Sequence, residues 1–132
     1  MHAVVALVTV LALLLYLWMG FSVGRARHRF GVDAPAMTGH PDFERHVRVQ
    51  MNTLEWLVVF LPCLWLSALY VSDYGAAALG LVWIVGRFLY MQGYRREPKA
   101  RAAGFYIQAL ATLLLILGAA GGAIWSLVQH PA

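Results

Sequence analysis

Between residues 43 and 56 the chain reads Phe43-Glu44-Arg45-His46-Val47-Arg48-Val49-Gln50-Met51-Asn52-Thr53-Leu54-Glu55-Trp56. On a helix turning ~100° per residue, Arg45, Arg48, Asn52 and Glu55 fall within an arc of about 80°. That stripe offers two guanidiniums, an amide and a carboxylate to one partner. Guanidinium forks grip carboxylates in bidentate fashion, Glu55 can receive an ammonium, and the amides of Asn52 and Gln50 can pair with peptide groups. A small, anionic, peptide-like ligand has a match for each of its groups here. A solvated helix start held by pairs such as Glu44 with Arg48, at i and i+4, accounts for Glu44 and Arg45. It accounts poorly for Asn52 and Glu55, which already stand among apolar residues.

A second stripe, Trp83, Arg87, Tyr90 and Tyr94, follows helical spacing. The two tyrosines would also suit the aromatic belt at a membrane surface. Arg87 lies inside an apolar segment, where it could snorkel, but pairing with a buried carboxylate such as Glu55 would be more favourable. Arg95-Arg96-Glu97-Pro98-Lys99-Ala100-Arg101 then adds four cations. Pro98 suits the first turn of a helix, which would put Arg101 just inside that helix at the membrane surface. An arginine beside a thiol favours the thiolate, the reactive nucleophile. The polar groups thus describe a cationic site with one buried carboxylate and two phenols.

Other chemistries find little support. His2, His28, His40, His46 and His130 are scattered with no ligand spacing, so no metal is expected. There is no Gly-rich phosphate loop, nucleophile elbow or CxxC. The single cysteine, Cys63, reads as a small buried apolar residue.

The elements that must position these residues follow from composition. Of 132 residues, 61% are hydrophobic and 12% charged, and the mean hydropathy is +0.68. A soluble domain is about half apolar and roughly a quarter charged. Disorder is excluded, because disordered chains are poor in apolar residues. A small water-soluble sphere would lack polar residues to cover itself. The chain therefore reads as an integral membrane protein, embedded in a lipid bilayer. The net charge of +4 does not point to nucleic acid, because nine of the ten basic residues fall in windows 25–48 and 95–101, the pattern of membrane-flanking loops.

Apolar runs predict an all-α fold, one four-span membrane domain over 1–132 with helices at about 3–23, 42–72, 75–94 and 98–128. The first run is too long for a cleaved signal peptide and lacks a basic leader. Ser72-Asp73-Tyr74-Gly75 reads as a tight turn that makes helices 2 and 3 antiparallel neighbours. Loops 1 and 3 are basic, and loop 2 has no Lys or Arg, which places loops 1 and 3 in the cytoplasm and both termini on the far side. A bacterial inner membrane would suit so compact a chain. Pro62 is expected to bend helix 2, and the small residues of 118–123 to permit close helix approach.

The motif Phe-Glu-Arg-x-x-Arg-x-Gln-x-Asn-x-x-Glu at 43–55, with Gly80-Leu81-Val82-Trp83 through Arg87-Phe88-Leu89-Tyr90-Met91-Gln92-Gly93-Tyr94, resembles the family of membrane-associated proteins in eicosanoid and glutathione metabolism, MAPEG. The resemblance covers essentially the whole chain. It implies a left-handed four-helix bundle assembled as a homotrimer, with glutathione as co-substrate and no metal, bound between subunits at the cytoplasmic end. Position by position, Arg48, Gln50, Asn52 and Glu55 match the helix 2 residues that hold the glutathione backbone. Tyr90 and Tyr94 match helix 3 tyrosines that contact it, and Arg101 matches the catalytic arginine that stabilises the thiolate. Counting back from Phe43 without gaps, Arg27 falls opposite a loop arginine that binds a glutathione carboxylate, with Arg25 or Arg29 as substitutes if the loop shifts. Trp56 departs from the tyrosine of the leukotriene-synthesising branch, which counts against leukotriene-type specificity.

The resemblance implies a glutathione transferase acting in detoxification of hydrophobic electrophiles, with glutathione-dependent peroxidase activity toward a lipid hydroperoxide as a further capacity. The alternative within the family is a non-enzymatic lipid-binding or scaffold protein. Such a protein has no need of Arg48, Asn52, Glu55, Tyr94 and Arg101 together. A small four-helix multidrug exporter would carry a carboxylate in helix 1, and helix 1 has none.

Overall fold

The computed structural model describes residues 1–131. Four helices follow one another: α1 (Ala3–Phe30), α2 (Pro41–Tyr70), α3 (Asp73–Arg96) and α4 (Ala102–Gln129), with a 3-10 turn over Pro98–Arg101 leading into α4. Each is long and apolar enough to cross a membrane. Even the shortest, the 24-residue α3, reaches about 36 Å at ~1.5 Å per residue.

The first helix departs from the expectation that it ends near residue 23: α1 runs on to Phe30. The charges end the apolar span and leave the helix intact, because arginine is a good helix former and Arg27, His28 and Arg29 meet the negative end of the helix dipole. Gly31 stops it at φ 66°, ψ 36°, a left-handed conformation that favours glycine, and the amides of Gly31 and Val32 both donate to the Arg27 carbonyl. Arg25, Arg27 and Arg29 are therefore helical residues, not loop residues.

The other boundaries shift by a residue or two, except that the expected start of helix 4 at 98 is the start of the 3-10 turn, so that α4 opens at Ala102 and Arg101 stands just before it instead of inside it. His40 caps α2, its Nδ1 accepting from the Asp42 amide at 3.1 Å, with Pro41 at the first helical position. Ser72 caps α3, its hydroxyl accepting from the Gly75 amide at 3.1 Å, so Asp73 opens that helix. α2 continues through Pro62 as one helix. At the far end from the arginines, the His2 amide and ring both bond to Asp73, at 3.0 and 2.7 Å, tying the start of α1 to the α2–α3 turn.

Helix packing relies on close backbone contact more than on bulk. A Cβ on Gly86 of α3 would stand 2.7 Å from the Gln108 amide nitrogen of α4. A Cβ on Gly104 of α4 would run into the backbone of Tyr90 and Gly86. This crossing brings α3 and α4 together where neither helix could approach with side chains between. Within the small-residue stretch of α4, only some positions are used this way: a Cβ on Gly122 would lie 2.8 Å from the Tyr70 carbonyl, whereas Gly121 faces open space. Ser67 of α2 adds a hydrogen bond to the Leu115 carbonyl of α4 at 2.6 Å.

The interior holds Val5, Val8, Phe60, Leu64, Trp83 and Leu115, with the Phe60 and Trp83 rings stacked at 4.0 Å. Cys63 sits half-buried against this cluster. Arg87, Thr53 and Gln108 are also buried, while Leu7, Phe21, Val58, Leu81, Leu117 and Trp125 are exposed. An apolar exterior around a partly polar interior is the arrangement that lipid favours.

Candidate functional site

At the end of the bundle that carries the arginines, α2, α3, the 3-10 turn and α4 enclose a cavity of about 500 Å³. That is within the size range that takes a small ligand. α2 contributes Arg48 and Asn52, one turn apart; α3 contributes Tyr90 and Tyr94, also one turn apart; and the 3-10 turn contributes Arg101. The turn exists because Pro98 opens it and Gly93 lets it lie on α3: a Cβ on Gly93 would run into the Ala100 carbonyl.

The polar groups of the cavity are loosely held. Arg48 Nη1 donates to Glu55 Oε1 at 3.4 Å, a long contact between half-exposed side chains. Such a pair contributes little and can be exchanged for a ligand's charges. Asn52 Oδ1 is buried and, among the described residues, has no partner, so it stands ready to accept a donor. Tyr90 is buried and lies 5.6 Å, ring to ring, from the half-exposed Tyr94. The exposed Arg101 guanidinium stands 5.4 Å from the Tyr94 ring and bonds to the Pro98 carbonyl. With Lys99 also lining the cavity, three cations face it and one carboxylate, Glu55, is tethered to its edge through Arg48.

Two pairings considered from the spacing are not made, and one residue of the α2 stripe is turned to another task. Arg87 does not reach Glu55. Its Nη2 donates to Thr53 Oγ1 at 2.6 Å, and its guanidinium lies 4.2 Å from the centre of the Tyr90 ring. The reason is rotational: Thr53 faces α3, and Glu55, two residues on, is turned about 200° away. The Glu44–Arg48 pair is replaced by Arg48 with Glu55. Arg45 leaves the stripe to bond to the Arg96 carbonyl at 3.1 Å and to Asp42 at 3.5 Å, covering the end of α3.

Nε and Nη1 of Arg87 have no partner among the described residues, so Thr53 supplies the hydrogen bond to this buried charge while the Tyr90 ring lies against it. Thr53→Val should lower stability by about 2 kcal/mol, the cost of leaving a buried donor unmet. The thermal midpoint of the detergent-solubilised protein reads this out, and Thr53→Ser, which keeps the hydroxyl, should stay near the parent.

The remaining site residues lie elsewhere. Gln50 is turned toward α1, where a Cβ on Gly20 would come within 3.3 Å of its Nε2. Arg27 donates to the Ala36 carbonyl at 2.7 Å and lies over the Phe43 ring at 4.9 Å, bracing the loop after α1. Neither lines the cavity. Trp56 meets Phe105 edge to face at 5.6 Å and so packs α2 against α4. Phe105 and Tyr106 of α4 complete the cavity wall. In the sequence they are two more apolar positions of a membrane helix, with no spacing that marks them. Among the described residues no three His, Cys, Asp or Glu side chains come together to hold a metal.

Comparison with known proteins bears on this site. A family model described as "MAPEG family" matches residues 5–121. The chain is 49% identical over 124 residues to an uncharacterized protein of Synechocystis sp., covering 94% of this chain and 90% of that protein. It is 39% identical over 117 residues to microsomal glutathione S-transferase 2 of Homo sapiens, covering 88% and 80% respectively. To leukotriene C4 synthase of Bos taurus it is 40% identical over 120 residues, covering 91% and 80%.

Proposed function

The chain belongs to the MAPEG family, as an integral membrane four-helix bundle, and on that premise we propose that it is a glutathione transferase acting at the membrane boundary. The observation that carries the proposal is the convergence of Arg48, Asn52, Tyr90, Tyr94 and Arg101 on one cavity, with Asn52 Oδ1 unpaired inside it.

Glutathione presents two carboxylates, an ammonium, two amides and a thiol. Arg48 would take a carboxylate and release Glu55 to the ammonium. Asn52 would accept a hydrogen bond from a peptide N–H. Arg101, beside Tyr94, would hold the sulfur as thiolate, the thiol proton passing to water at the cavity mouth. The thiolate then attacks an electrophilic carbon arriving from the lipid, a C–S bond forms, and the displaced group leaves with its electron pair. Orientation and thiolate activation suffice, with no covalent enzyme intermediate and no metal. The same thiolate could attack a lipid hydroperoxide: the O–O bond breaks to give an alcohol, and a second glutathione converts the sulfenic product to the disulfide and water.

Gln50 and Arg27 support a site shared between chains. They stand on the α1–α2 side, outside the cavity. A neighbouring copy docking that side against the cavity would bring all eight residues to one ligand, as in a homotrimer. The basic end faces the cytoplasm in this reading, by the positive-inside rule, with both termini opposite and a bacterial inner membrane as the setting.

The test is equilibrium binding of glutathione to the purified protein in detergent. Saturable binding is expected, and Arg48→Ala should weaken it at least about tenfold, or ~1.4 kcal/mol. No binding by the parent at millimolar glutathione would overturn the transferase and leave a lipid-binding scaffold.

A further inference from the structure

A second group of cations occupies a cleft of about 380 Å³ between α1, α2 and α3 that shares no lining residue with the cavity described above. Arg25 and Arg29, one turn apart on α1, meet His46 of α2 and Arg95 of α3 there. No carboxylate lines the cleft, and none of these four side chains belongs to an ion pair among the described residues. Among the described residues, the one hydrogen bond of the Arg25 side chain is a 3.4 Å contact to the Ser22 hydroxyl. Arg95 Nε is buried without a partner among the described residues. His46 Nδ1 is spent on the Asp42 carbonyl at 2.7 Å, which leaves Nε2 as its free nitrogen.

Three guanidiniums gathered without a counter-charge repel one another, and an anion seated among them relieves that cost where Arg95 is partly buried. Guanidinium forks match the geometry of phosphate oxygens. The cleft also has an apolar continuation. The Arg95 guanidinium lies 5.9 Å from the Trp18 ring, and Trp18 of α1 stacks on Phe88 of α3 at 6.2 Å. Both rings are more than a third exposed, at 39% and 38%. Trp18 and Phe88 each stand seven residues toward the membrane interior from a cleft arginine, Arg25 and Arg95, a rise of about 10 Å along the helix. The aromatic pair thus follows the cationic cleft along α1 and α3, joined to it through the Arg95–Trp18 contact.

We propose that this cleft binds the phosphate of an anionic membrane phospholipid, with an acyl chain lying over Trp18 and Phe88. Basic pockets between membrane helices recognise such headgroups. The aromatic pair favours a lipid over free phosphate, which would have no use for it. The proposal requires only that the chain sits in a membrane, and does not depend on glutathione chemistry.

The experiment uses the full-length protein, stripped of lipid in a neutral detergent, with phosphatidylglycerol, phosphatidylcholine or inorganic phosphate added back. Bound lipid is counted by native mass spectrometry and the thermal midpoint is followed. Phosphatidylglycerol should remain bound and raise the midpoint, and phosphatidylcholine should do neither. Arg95→Gln should weaken retention about fivefold, the contribution of one cation near an anionic lipid. Arg95→Lys should keep most of it, and Trp18→Ala should weaken the lipid without creating phosphate binding. Monodisperse elution and helical content show that each variant is folded. Equal stabilisation by inorganic phosphate would overturn the lipid as occupant. Retention of phosphatidylglycerol unchanged in folded Arg95→Gln would overturn the site.

Discussion

Arg101→Ala should lower the turnover of glutathione with a hydrophobic electrophile by about two orders of magnitude while leaving the tripeptide bound. The guanidinium stands at the cavity wall beside Tyr94, anchored to the Pro98 carbonyl, and it immediately precedes the first turn of α4. A thiolate placed there would gain from the arginine and from the positive end of a 28-residue helix. A free thiol, with a pKa of about 8.5, is only a few per cent ionised at neutral pH. Losing the arginine forfeits most of the thiolate population and part of the charge stabilisation in the transition state. The sign of the pH effect follows. In Arg101→Ala, activity should climb as pH rises toward about 9, where the thiol ionises unaided, whereas the parent should already be near its plateau. Steady-state rates and thiolate absorbance measure both. Loss of glutathione binding together with activity would make Arg101 a holding group and not an activating one.

Gly104→Val should be the most disruptive single change to the bundle. Its side chain would enter the backbone of α3 at Tyr90 and Gly86, atoms that cannot move without parting the helices. Overpacking of this kind costs about 3 kcal/mol. The effect reaches the site as well, because Tyr90 and Tyr94 ride on α3 while Arg101 leads into α4. Any widening of that crossing separates the phenols from the guanidinium. A marked fall in the thermal midpoint in detergent is expected, with lost activity in whatever protein still folds. Gly121→Ala, on the same helix but facing open space, should change stability by no more than about 0.5 kcal/mol. Equal tolerance of both substitutions would mean that the α3–α4 crossing is looser than described.

The contrast between these glycines explains which parts of the fold could be read in advance. Apolar run length located all four helices, because lipid demands it. The same signal misplaced the end of α1, since apolarity marks where the membrane stops and says nothing about where a helix of arginines stops. The cluster at 118–123 is visible as a run of small residues. Gly86 and Gly104 form the tighter crossing, but they are single glycines on different helices, and only the three-dimensional pairing reveals them.

The site divides in a similar way. Spacing of three and four residues put Arg48 with Asn52 and Tyr90 with Tyr94 on common faces, and those faces do meet at the cavity. The partner of Arg87 could not be read, because it depends on how α2 is rotated against α3, and that rotation presents Thr53 instead of Glu55. Gln50 and Arg27 were matched by position along the chain, which carries no information about the side of the bundle on which a residue emerges.

Cys63 has a practical bearing on all of this. It is the only thiol in the chain, half-buried on α2 and fifteen residues beyond Arg48, about 22 Å along the helix axis. The protein alone therefore contributes one constant thiol to any thiolate-absorbance or thiol-alkylation record, well removed from the guanidiniums that line the cavity. A thiolate signal that follows added glutathione and vanishes in Arg101→Ala belongs to the ligand, with the untreated protein serving as its own blank.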